Sequence, residues 1–423
     1  MITWIKGGEL IDPRSETKKK ADIVIKKGKI ERIADNIKAD GAKVIEAEGL
    51  TVIPGMIDMH CHLREPGQEY KEDILSGSKA AVKGGFTSIV CMPNTTPVID
   101  NSSLVSFIKR KADEVNLVKI YPTGAITMGL EGKSLSEMGE MKEAGAIAFS
   151  DDGKPVSDGK IMRNALNYAK TIDTLLTLHC EDLEIKADGV MNEGYYSTIL
   201  GLRGISRAAE ETMISRDIAL AESLDTKIHI AHVSTKGAFE IIRQAKKRGV
   251  QVTCETMPHY FSADDSWVKG YDANTKVAPP LRTSDDVKAT IEAIKDGTVD
   301  AIATDHAPHH EDEKNVEYDI AAFGISGFES ALSLMVTNLL SNGVSLEKIA
   351  ELTSINPAKI LGIECDGISV GSVADITIFD EDEEYVFRKE DMVSKGKNSP
   401  FIGKTLKGKV KYTIVDGEIK YEV

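Results

Sequence analysis

The chain has 423 residues, of which 41% are hydrophobic, so it is long enough to bury a large core in one or more domains. Its formal net charge is −15 and only 5% of its residues are aromatic, which argues against nucleic-acid binding but leaves a small anionic substrate open. Its five cysteines form no CxxC pair, its N-terminus does not resemble a signal peptide, and no apolar run reaches the ~18 residues of a membrane span. We therefore expect a cytoplasmic protein with no membrane partner.

Both ends of the chain are predicted to form short β-strands. Residues 1–52 contain runs rich in Ile and Val that are separated by glycine, and residues 368–423 alternate in the same way, with VDGEI as a turn between two strands. Because the two ends are alike, we expect 1–52 and 368–423 to form one composite β-sandwich domain, with 53–367 inserted between them. Two separate β-caps are the alternative.

The middle of the chain alternates short apolar runs with amphipathic helical segments. Eight such runs occur, at 55–60, 86–94, 118–124, 146–152, 175–181, 227–234, 250–259 and 299–309. Eight repeats of strand and helix, with nearly continuous apolar strands, are typical of a (β/α)8 TIM barrel. An open, doubly wound sheet is the alternative, although no GxGxxG motif follows the first strand.

Polar residues stand at or near the ends of most of these runs. They are Asp58, His60, His62, Asn94, Asp151, Asp152, His179, His232 and Asp305. The carboxyl ends of the strands of a TIM barrel form one face, and that face carries the active site. We therefore expect these side chains to meet at one mouth of the barrel.

The motif HCH at residues 60–62 carries most of the chemical information. Alternation along a strand places His60 and His62 on one face and Cys61 on the other, so we expect Cys61, and likewise Cys180, to be packing residues. Four histidines with an aspartate suit Zn²⁺, as one or two ions, and an aspartate could bridge a pair of ions. A pair of exposed loop histidines is the alternative for His60 and His62.

Six motifs, in this order, resemble the cyclic-amide branch of the amidohydrolase superfamily, and within it the longer bacterial-type dihydroorotases. They are DMHCHLREPG, CMPNTTPVIDN, AFSDDG, HCE, HVSTK and ATDHAPH. The resemblance covers almost the whole chain. It implies reversible cyclisation of N-carbamoyl-L-aspartate to L-dihydroorotate, a step of pyrimidine synthesis, by a metal-bound hydroxide.

The resemblance also implies the metal ligands. His60 and His62 would hold one zinc ion with Asp305, and His179 and His232 would hold a second. Asp152 would bridge the two ions, because the family places its ligand directly before the glycine of DDG. Asp151 is the alternative. Asp305 would be the general acid and base, and Asp58 would support the metal site without binding the metal.

The substrate contacts follow from the same resemblance. Arg64 and Asn94 would bind the substrate carboxylate beside His62, with help from His309, and Phe323 and Gly324 would lie on a loop near the ring. One position departs from the pattern, because Ala278 replaces an asparagine that contacts the ring in relatives. The charged segment 309–327 is predicted to be a mobile lid, with a solvated loop as the alternative.

Two other functions compete with this interpretation. An allantoinase or a dihydropyrimidinase (hydantoinase) would share the fold and the metal, but those families carry a lysine near residue 150, and here no lysine occurs until Lys154. A non-catalytic structural relative would have lost metal ligands, and all the expected positions are filled. The resemblance is compatible with a homodimer and with an aspartate transcarbamoylase partner.

Overall fold

The structure, a computed structural model, describes residues 2–423 and begins with five strands. They are β1 (Ile2–Asp12), β2 (Thr17–Lys26), β3 (Lys29–Ala34), β4 (Lys43–Glu46) and β5 (Thr51–Pro54). β1 pairs antiparallel with β2, and a bulge between Ile5 and Gly8 interrupts their register. On its other edge, β1 pairs in parallel with β4 before this bulge and with β5 after it. The bulge therefore allows the long strand β1 to pair with two short strands, β4 and β5, along the same edge.

Ten strands follow in the middle of the chain. They are β6 (Met56–Cys61), β7 (Phe86–Cys91), β8 (Lys119–Gly124), β9 (Ala148–Phe149), β10 (Leu175–Leu178), β11 (Met191–Asn192), β12 (Gly204–Ile205), β13 (Ile228–Ile230), β14 (Val252–Thr256) and β15 (Ala301–Ile302). Eight of them form a parallel sheet in chain order from β6 to β15, while β11 and β12 pair apart as a ribbon.

The parallel sheet closes into a barrel. A parallel bridge joins Cys61, at the end of β6, to His306, just after β15, and the amide of His62 donates to the carbonyl of His306 at 2.8 Å. All eight predicted strands are present in the predicted order. The TIM barrel is therefore confirmed, and the open doubly wound sheet is excluded.

Helices follow the barrel strands along the chain and cover the barrel. They are α1 (Ile74–Lys83), α2 (Ser102–Val115), α3 (Met138–Ala144), α4 (Gly159–Thr171), α5 (Leu183–Lys186), α6 (Tyr195–Leu200), α7 (Ala208–Leu224), α8 (Lys236–Lys247), α9 (Ser284–Lys295), α10 (Glu311–Lys314), α11 (Phe328–Leu334), α12 (Leu346–Ala350) and α13 (Asn356–Leu361). Several begin at a capping side chain, such as Asp73 before α1 and Thr283 before α9. Their apolar faces and the barrel strands share one large core.

Three C-terminal strands return to the N-terminal ones. They are β16 (Ile376–Val386), β17 (Thr405–Val415) and β18 (Glu418–Glu422). β16 pairs antiparallel with β5, so both ends of the chain join one eight-stranded sheet with its own apolar core. The predicted β-domain from both termini is thus confirmed, whereas its exact boundaries, 1–52, 53–367 and 368–423, stay a prediction.

The terminal sheet also contacts the barrel. The hydroxyl of Thr413 donates to the carbonyl of Val82 in α1 at 2.6 Å, and that of Thr377 donates to the carbonyl of Gly85 at 2.6 Å. These contacts lie near the start of β7, at the end of the barrel opposite the strand ends that carry the polar residues. Within residues 2–423, no helix is long and apolar enough to cross a membrane.

Candidate active site

The carboxyl ends of the barrel strands bring the predicted polar residues together. His60 lies within β6, and Asp152, His179, His232 and Asp305 each follow a short strand by one to three residues. These five side chains are buried although all are ionisable. A group of buried ionisable residues requires partners or an ion to offset the loss of hydration.

Asp152 lies at the centre of this group. Its carboxylate is 3.4 Å from His60 Nε2, 3.5 Å from His62 Nε2, 3.5 Å from His179 Nδ1 and 3.6 Å from His232 Nε2. Four imidazole nitrogens thus surround one carboxylate. This is the place in which a bridging ligand would lie.

Asp305 lies on the His60 and His62 side of the group. Its Oδ1 is 3.0 Å from His62 Nε2 and 3.7 Å from His60 Nε2. Two sets of residues could each hold a cation, because the ligand atoms within each set lie within 4.8 Å of one another. One set is His60, Asp152 and His232, and the other is His60, His62 and Asp305. The two sets share His60, so the structure offers two adjacent positions for a cation.

The donor set fits a metal ion. His60 Nε2 is buried and has no hydrogen-bond partner, although it points at the two aspartates. His179 Nδ1 and His232 Nε2 lie 2.7 Å apart, and both are within reach of Asp152. Nitrogen and carboxylate ligands converging in this way suit a borderline cation such as Zn²⁺.

The electrostatics keep the two aspartates ionised. Burial alone would raise the pKa of Asp305, but the hydrogen bond with His62 and the charge of His60 hold it at about 2. Burial opposes ionisation of Asp152 as well, yet the neighbouring histidines hold its pKa well below the usual range. For His179, burial would lower the pKa, but hydrogen bonds with Asp152 and Glu181 raise it to about 9.

Asp151 and Asp152 are adjacent but face different surroundings. The Asp151 carboxylate accepts hydrogen bonds from the amides of Ile126 and Thr127, at 2.8 and 3.0 Å, and from the Thr127 hydroxyl. It holds the loop after β8 and does not contact the histidines. The geometry therefore favours Asp152 as the ligand, as the DDG motif indicated.

One buried residue that sequence reasoning missed, Glu255, orients His60. Glu255, at the end of β14, lies 3.0 Å from His60 Nδ1 and 3.3 Å from His229 Nε2. Burial would raise the pKa of Glu255, but these two histidines lower it to about 2. The sequence did contain a signal for this residue, because Glu255 is an acidic residue within the seventh apolar run. A carboxylate on the far nitrogen of a ligating histidine fixes its tautomer and ring orientation.

Asp58 has a related supporting position. Its carboxylate accepts hydrogen bonds from the amide and the hydroxyl of Thr304, at 2.8 and 2.7 Å. Because Thr304 directly precedes Asp305, this pair fixes the turn after β15 that presents Asp305. Asp58 does not belong to either group of potential ligands, in agreement with the predicted supporting role.

Arg64 stands at the edge of the same space. It is buried, its Nε donates to the carbonyl of Pro308 at 3.2 Å, and its Nη2 lies 3.3 Å from His309 Nε2. Asn94 lies between the histidines and the aspartates, with Oδ1 at 2.9 Å from His62 Nδ1 and Nδ2 at 3.2 Å from Asp152 Oδ2. Arg64 therefore presents a guanidinium next to the cation positions, while Asn94 also positions the predicted ligands.

The segment 309–327 is held by buried lysine ammonium groups. Lys314 Nζ donates to the carbonyls of Ala322, at 2.7 Å, and Gly324, at 3.1 Å, and Lys276 Nζ donates to the carbonyl of Tyr318 at 2.8 Å. Gly324 approaches the barrel closely, since a Cβ there would lie 2.6 Å from the Ala307 carbonyl oxygen. The segment forms an ordered wall of the site, and its predicted mobility stays a prediction.

These residues line one cavity of about 190 Å³. All the predicted site residues except His60 line it: His62, Arg64, Asn94, Asp152, His179, His232, Asp305, His309, Phe323 and Gly324. Ala278 lines it too, with a methyl group only. A larger groove of about 1040 Å³ lies nearby but includes only His309 of these residues, so size alone would not have located the site.

Two further predictions, for Cys61 and Cys180, concern residues outside the cavity. Cys61 Sγ contacts the Val90 carbonyl and Cys180 Sγ contacts Asp217, so both cysteines point away from the clustered histidines. Arg282 is buried and donates to Glu210 and Ser234, which makes it structural. The packing role predicted for the two cysteines agrees with these contacts.

The chain is similar to families and proteins that are already known. A dihydro-orotase-like family model matches residues 49–238, and an amidohydrolase family model matches residues 221–421. A dihydroorotase of Acetivibrio thermocellus is 52% identical over 98% of both chains, and one of Geobacter metallireducens is 52% identical over 100% of both. Both relatives thus align with the chain from end to end.

Solved structures show the same fold. An L-hydantoinase (dihydropyrimidinase) from Arthrobacter aurescens matches with a TM-score of 0.89 and 25% identity, over 99% of this chain and 96% of that one. A dihydropyrimidinase from Brevibacillus agri matches with a TM-score of 0.87 and 24% identity, over 99% and 95%. The identity to these structures is half of that to the dihydroorotases. The chain belongs to the dihydroorotase family of the amidohydrolase superfamily and is a hydrolase that acts on cyclic amides.

Proposed function

We propose that the chain interconverts N-carbamoyl-L-aspartate and L-dihydroorotate in pyrimidine synthesis, with zinc as its cofactor. The observation that carries this proposal is the position of Arg64, a buried guanidinium that lines the same cavity as three of the four clustered histidines and two aspartates. The full-length similarity to dihydroorotases supports the same substrate. The cavity's small size suits a six-membered ring with one carboxylate.

Arg64 would bind the substrate carboxylate. Its Nε is used by Pro308, but a guanidinium has five N–H donors, so further donors can grip a carboxylate. His309 lies 3.3 Å from Arg64 Nη2 and shares this side of the cavity with it. Phe323 and Gly324 would face the ring from the segment that Lys314 holds. Dihydroorotate carries the carboxylate that a plain hydantoin or dihydrouracil does not.

His60, His62, Asp152, His179, His232 and Asp305 would hold the zinc, as one ion or two. Zinc, when bound, polarises a carbonyl and makes hydroxide available near neutral pH. Asp152 supports the two-ion arrangement because it contacts one nitrogen from each of the four histidines. The shared position of His60 in both groups of ligand atoms supports either count.

Asp305 would carry the proton. Its low pKa, about 2, keeps it in the basic form at neutral pH, despite the burial that opposes ionisation. In ring opening it would accept a proton from the attacking water and deliver it to the leaving amide nitrogen. In ring closure it would take the proton from the ureido nitrogen instead. Asp58 and Thr304 hold the turn that presents it.

A comparison of three cyclic amides tests the proposal. We would supply L-dihydroorotate, allantoin and dihydrouracil separately to the zinc-loaded protein and follow ring opening, with and without a chelator. The proposal predicts opening of dihydroorotate alone, and loss of that activity after chelation. Activity on allantoin or dihydrouracil without activity on dihydroorotate would contradict it and favour the allantoinase or hydantoinase alternative.

The predicted partners and location can be tested separately. The homodimer, the aspartate transcarbamoylase partner and the cytoplasmic location all stay predictions. Light scattering after size-exclusion chromatography, with the protein alone and mixed with a transcarbamoylase, would measure the first two. A mass of one chain, 46.0 kDa, would contradict the homodimer.

A further inference from the structure

Two ionisable residues of the cavity are neither proposed metal ligands nor proposed contacts of the substrate carboxylate. Lys186, the last residue of α5, and Glu181, two residues after His179, both line the cavity. Every other ionisable or amide side chain of the lining is a candidate metal ligand, a carboxylate contact or the general base. A paired acid and base inside a substrate cavity therefore calls for an explanation.

Lys186 is placed as a hydrogen-bond donor near the ring position. Its ammonium group contacts Glu181 Oε2 and lies 4.8 Å from the centroid of the Phe323 ring. Its side chain is 16% exposed, so most of it is withdrawn from solvent. An ammonium group has three N–H donors, of which the contact with Glu181 uses one. The remaining donors are free for a ligand in the cavity.

Glu181 is placed as an acceptor. Its Oε2 contacts Lys186 and lies 3.4 Å from His179 Nε2, whereas its Oε1 is buried and has no hydrogen-bond partner. The ion pair with the Lys186 ammonium group identifies Glu181 as a carboxylate. A buried carboxylate oxygen without a donor is costly unless a ligand supplies one.

The surrounding wall offers no alternative polar side chain. Val277 and Ala278 line this part of the cavity with apolar groups, and Lys276, which also lies over the Phe323 ring at 4.5 Å, uses its ammonium group on the carbonyls of residues 318 and 319. Among the lining side chains without a role in the proposed metal or carboxylate binding, Lys186 and Glu181 are the ones that could satisfy a substrate carbonyl and N–H.

We propose that Lys186 and Glu181 form a subsite for the ureido group of the substrate. The Lys186 ammonium donates to the ureido carbonyl oxygen, and Glu181 Oε1 accepts from the ureido N–H that does not take part in ring closure. This inference rests on the proposed function and deepens it, because Arg64 recognises the carboxylate and this pair recognises the other end of the same molecule. No covalent step is involved.

The substitution Lys186→Met tests this assignment with Lys186→Arg as the conservative variant. Lys160→Met is a matched control, because Lys160 is exposed at the start of α4 and does not line the cavity. Three quantities would be measured: the KM and kcat for ring closure of N-carbamoyl-L-aspartate, the inhibition constant of succinate, and the zinc content. Succinate has carboxylates but no ureido group.

We expect Lys186→Met to raise KM about tenfold, since one charge-assisted hydrogen bond is lost, while kcat, the succinate inhibition constant and the zinc content change less than twofold. Lys186→Arg should recover part of the loss, and Lys160→Met should match the wild type. An unchanged KM would overturn the subsite. A parallel rise in the inhibition constant of succinate would also overturn it, because Lys186 would then act as a general positive charge. A loss of zinc would overturn it as well, because Lys186 would then support His179. A wild type that does not close the ring would overturn the proposed function itself.

Discussion

The cavity has two walls that are built in different ways. The strand wall consists of His62, Asp152, His179, His232 and Asp305, which stand at the ends of short parallel strands together with His60, the one member of the group that does not line the cavity. The loop wall consists of Arg64, His309, Phe323 and Gly324, which are held by contacts between distant loops. Under the proposed function, the strand wall would carry the chemistry that any cyclic amide needs, and the loop wall would carry the groups that choose among substrates. Placing chemistry on rigid elements and selectivity on loops is the general strategy of barrel enzymes.

The largest effect is expected from a substitution at the centre of the strand wall. Asp152→Ala removes the carboxylate that contacts all four histidines, so we expect loss of bound zinc and a decrease in kcat of roughly a thousandfold or more. Metal analysis and steady-state kinetics measure both. Asp151→Asn is the matched control and should keep its zinc, because Asp151 bonds only to residues 126 and 127. Zinc lost from the Asp151 variant but kept by the Asp152 variant would reverse the assignment.

A substitution in the loop wall should change substrate affinity and leave metal binding unchanged. Arg64→Met removes the guanidinium proposed to bind the carboxylate, so the KM for L-dihydroorotate should rise roughly 10- to 100-fold. The zinc content should stay unchanged, because Arg64 is in neither group of potential ligands. Arg64→Lys keeps the charge without the planar fork and should recover only part of the affinity. Loss of zinc from the Arg64→Met protein would show that the two walls are not separable.

A smaller effect is expected behind the strand wall. Glu255→Gln weakens the contact that orients His60, so zinc affinity should fall about 10- to 100-fold in competition with a chelator of known affinity. Glu210→Gln is a matched control, since Glu210 is equally buried but bonds to Arg282 and Ser234. The control should lose thermal stability and keep its zinc affinity. Equal zinc affinities for the Glu255→Gln variant and the wild type would contradict the positioning role.

The mildest test changes only pH. In the metal-free protein the pKa of His179 is about 9, because contacts with Asp152 and Glu181 outweigh the burial that lowers it. Its proton is therefore bound at pH 7 and must leave when zinc binds, so apparent zinc affinity should increase as pH rises toward 9. Titration calorimetry in two buffers of different ionisation enthalpy would count the released protons. Zinc binding without proton release at pH 7 would contradict the raised pKa.

The sequence predicts the strand wall well because its geometry is local. Alternation within β6 places His60 and His62 on one face, and parallel strands bring their ends to one edge, so spacing alone predicts the convergence. Glu255 was missed because an acid in the middle of an apolar run gives no sign of its partner. Its contact with His60 joins residues 195 positions apart, and only the closed barrel shows it.

The loop wall was predictable only through the family resemblance. The positions of Arg64 and His309 depend on hydrogen bonds with Pro308 and Asn398, and no periodicity in the sequence indicates them. The charged composition of 309–327 predicts a mobile lid, and that mobility stays a prediction. The burial of Lys314, which donates to the carbonyl of Ala322, is visible only in the structure. Charge in a segment thus did not reveal which of its lysines is buried.

Anomalous diffraction from crystals grown with zinc tests the central claim most directly. The account predicts a zinc peak among His60 Nε2, His62 Nε2, Asp152 and Asp305, with any second peak at His179 and His232, and Arg64 free to face the substrate. A well-ordered structure without a peak at Asp152, or with zinc held by other residues, would contradict it.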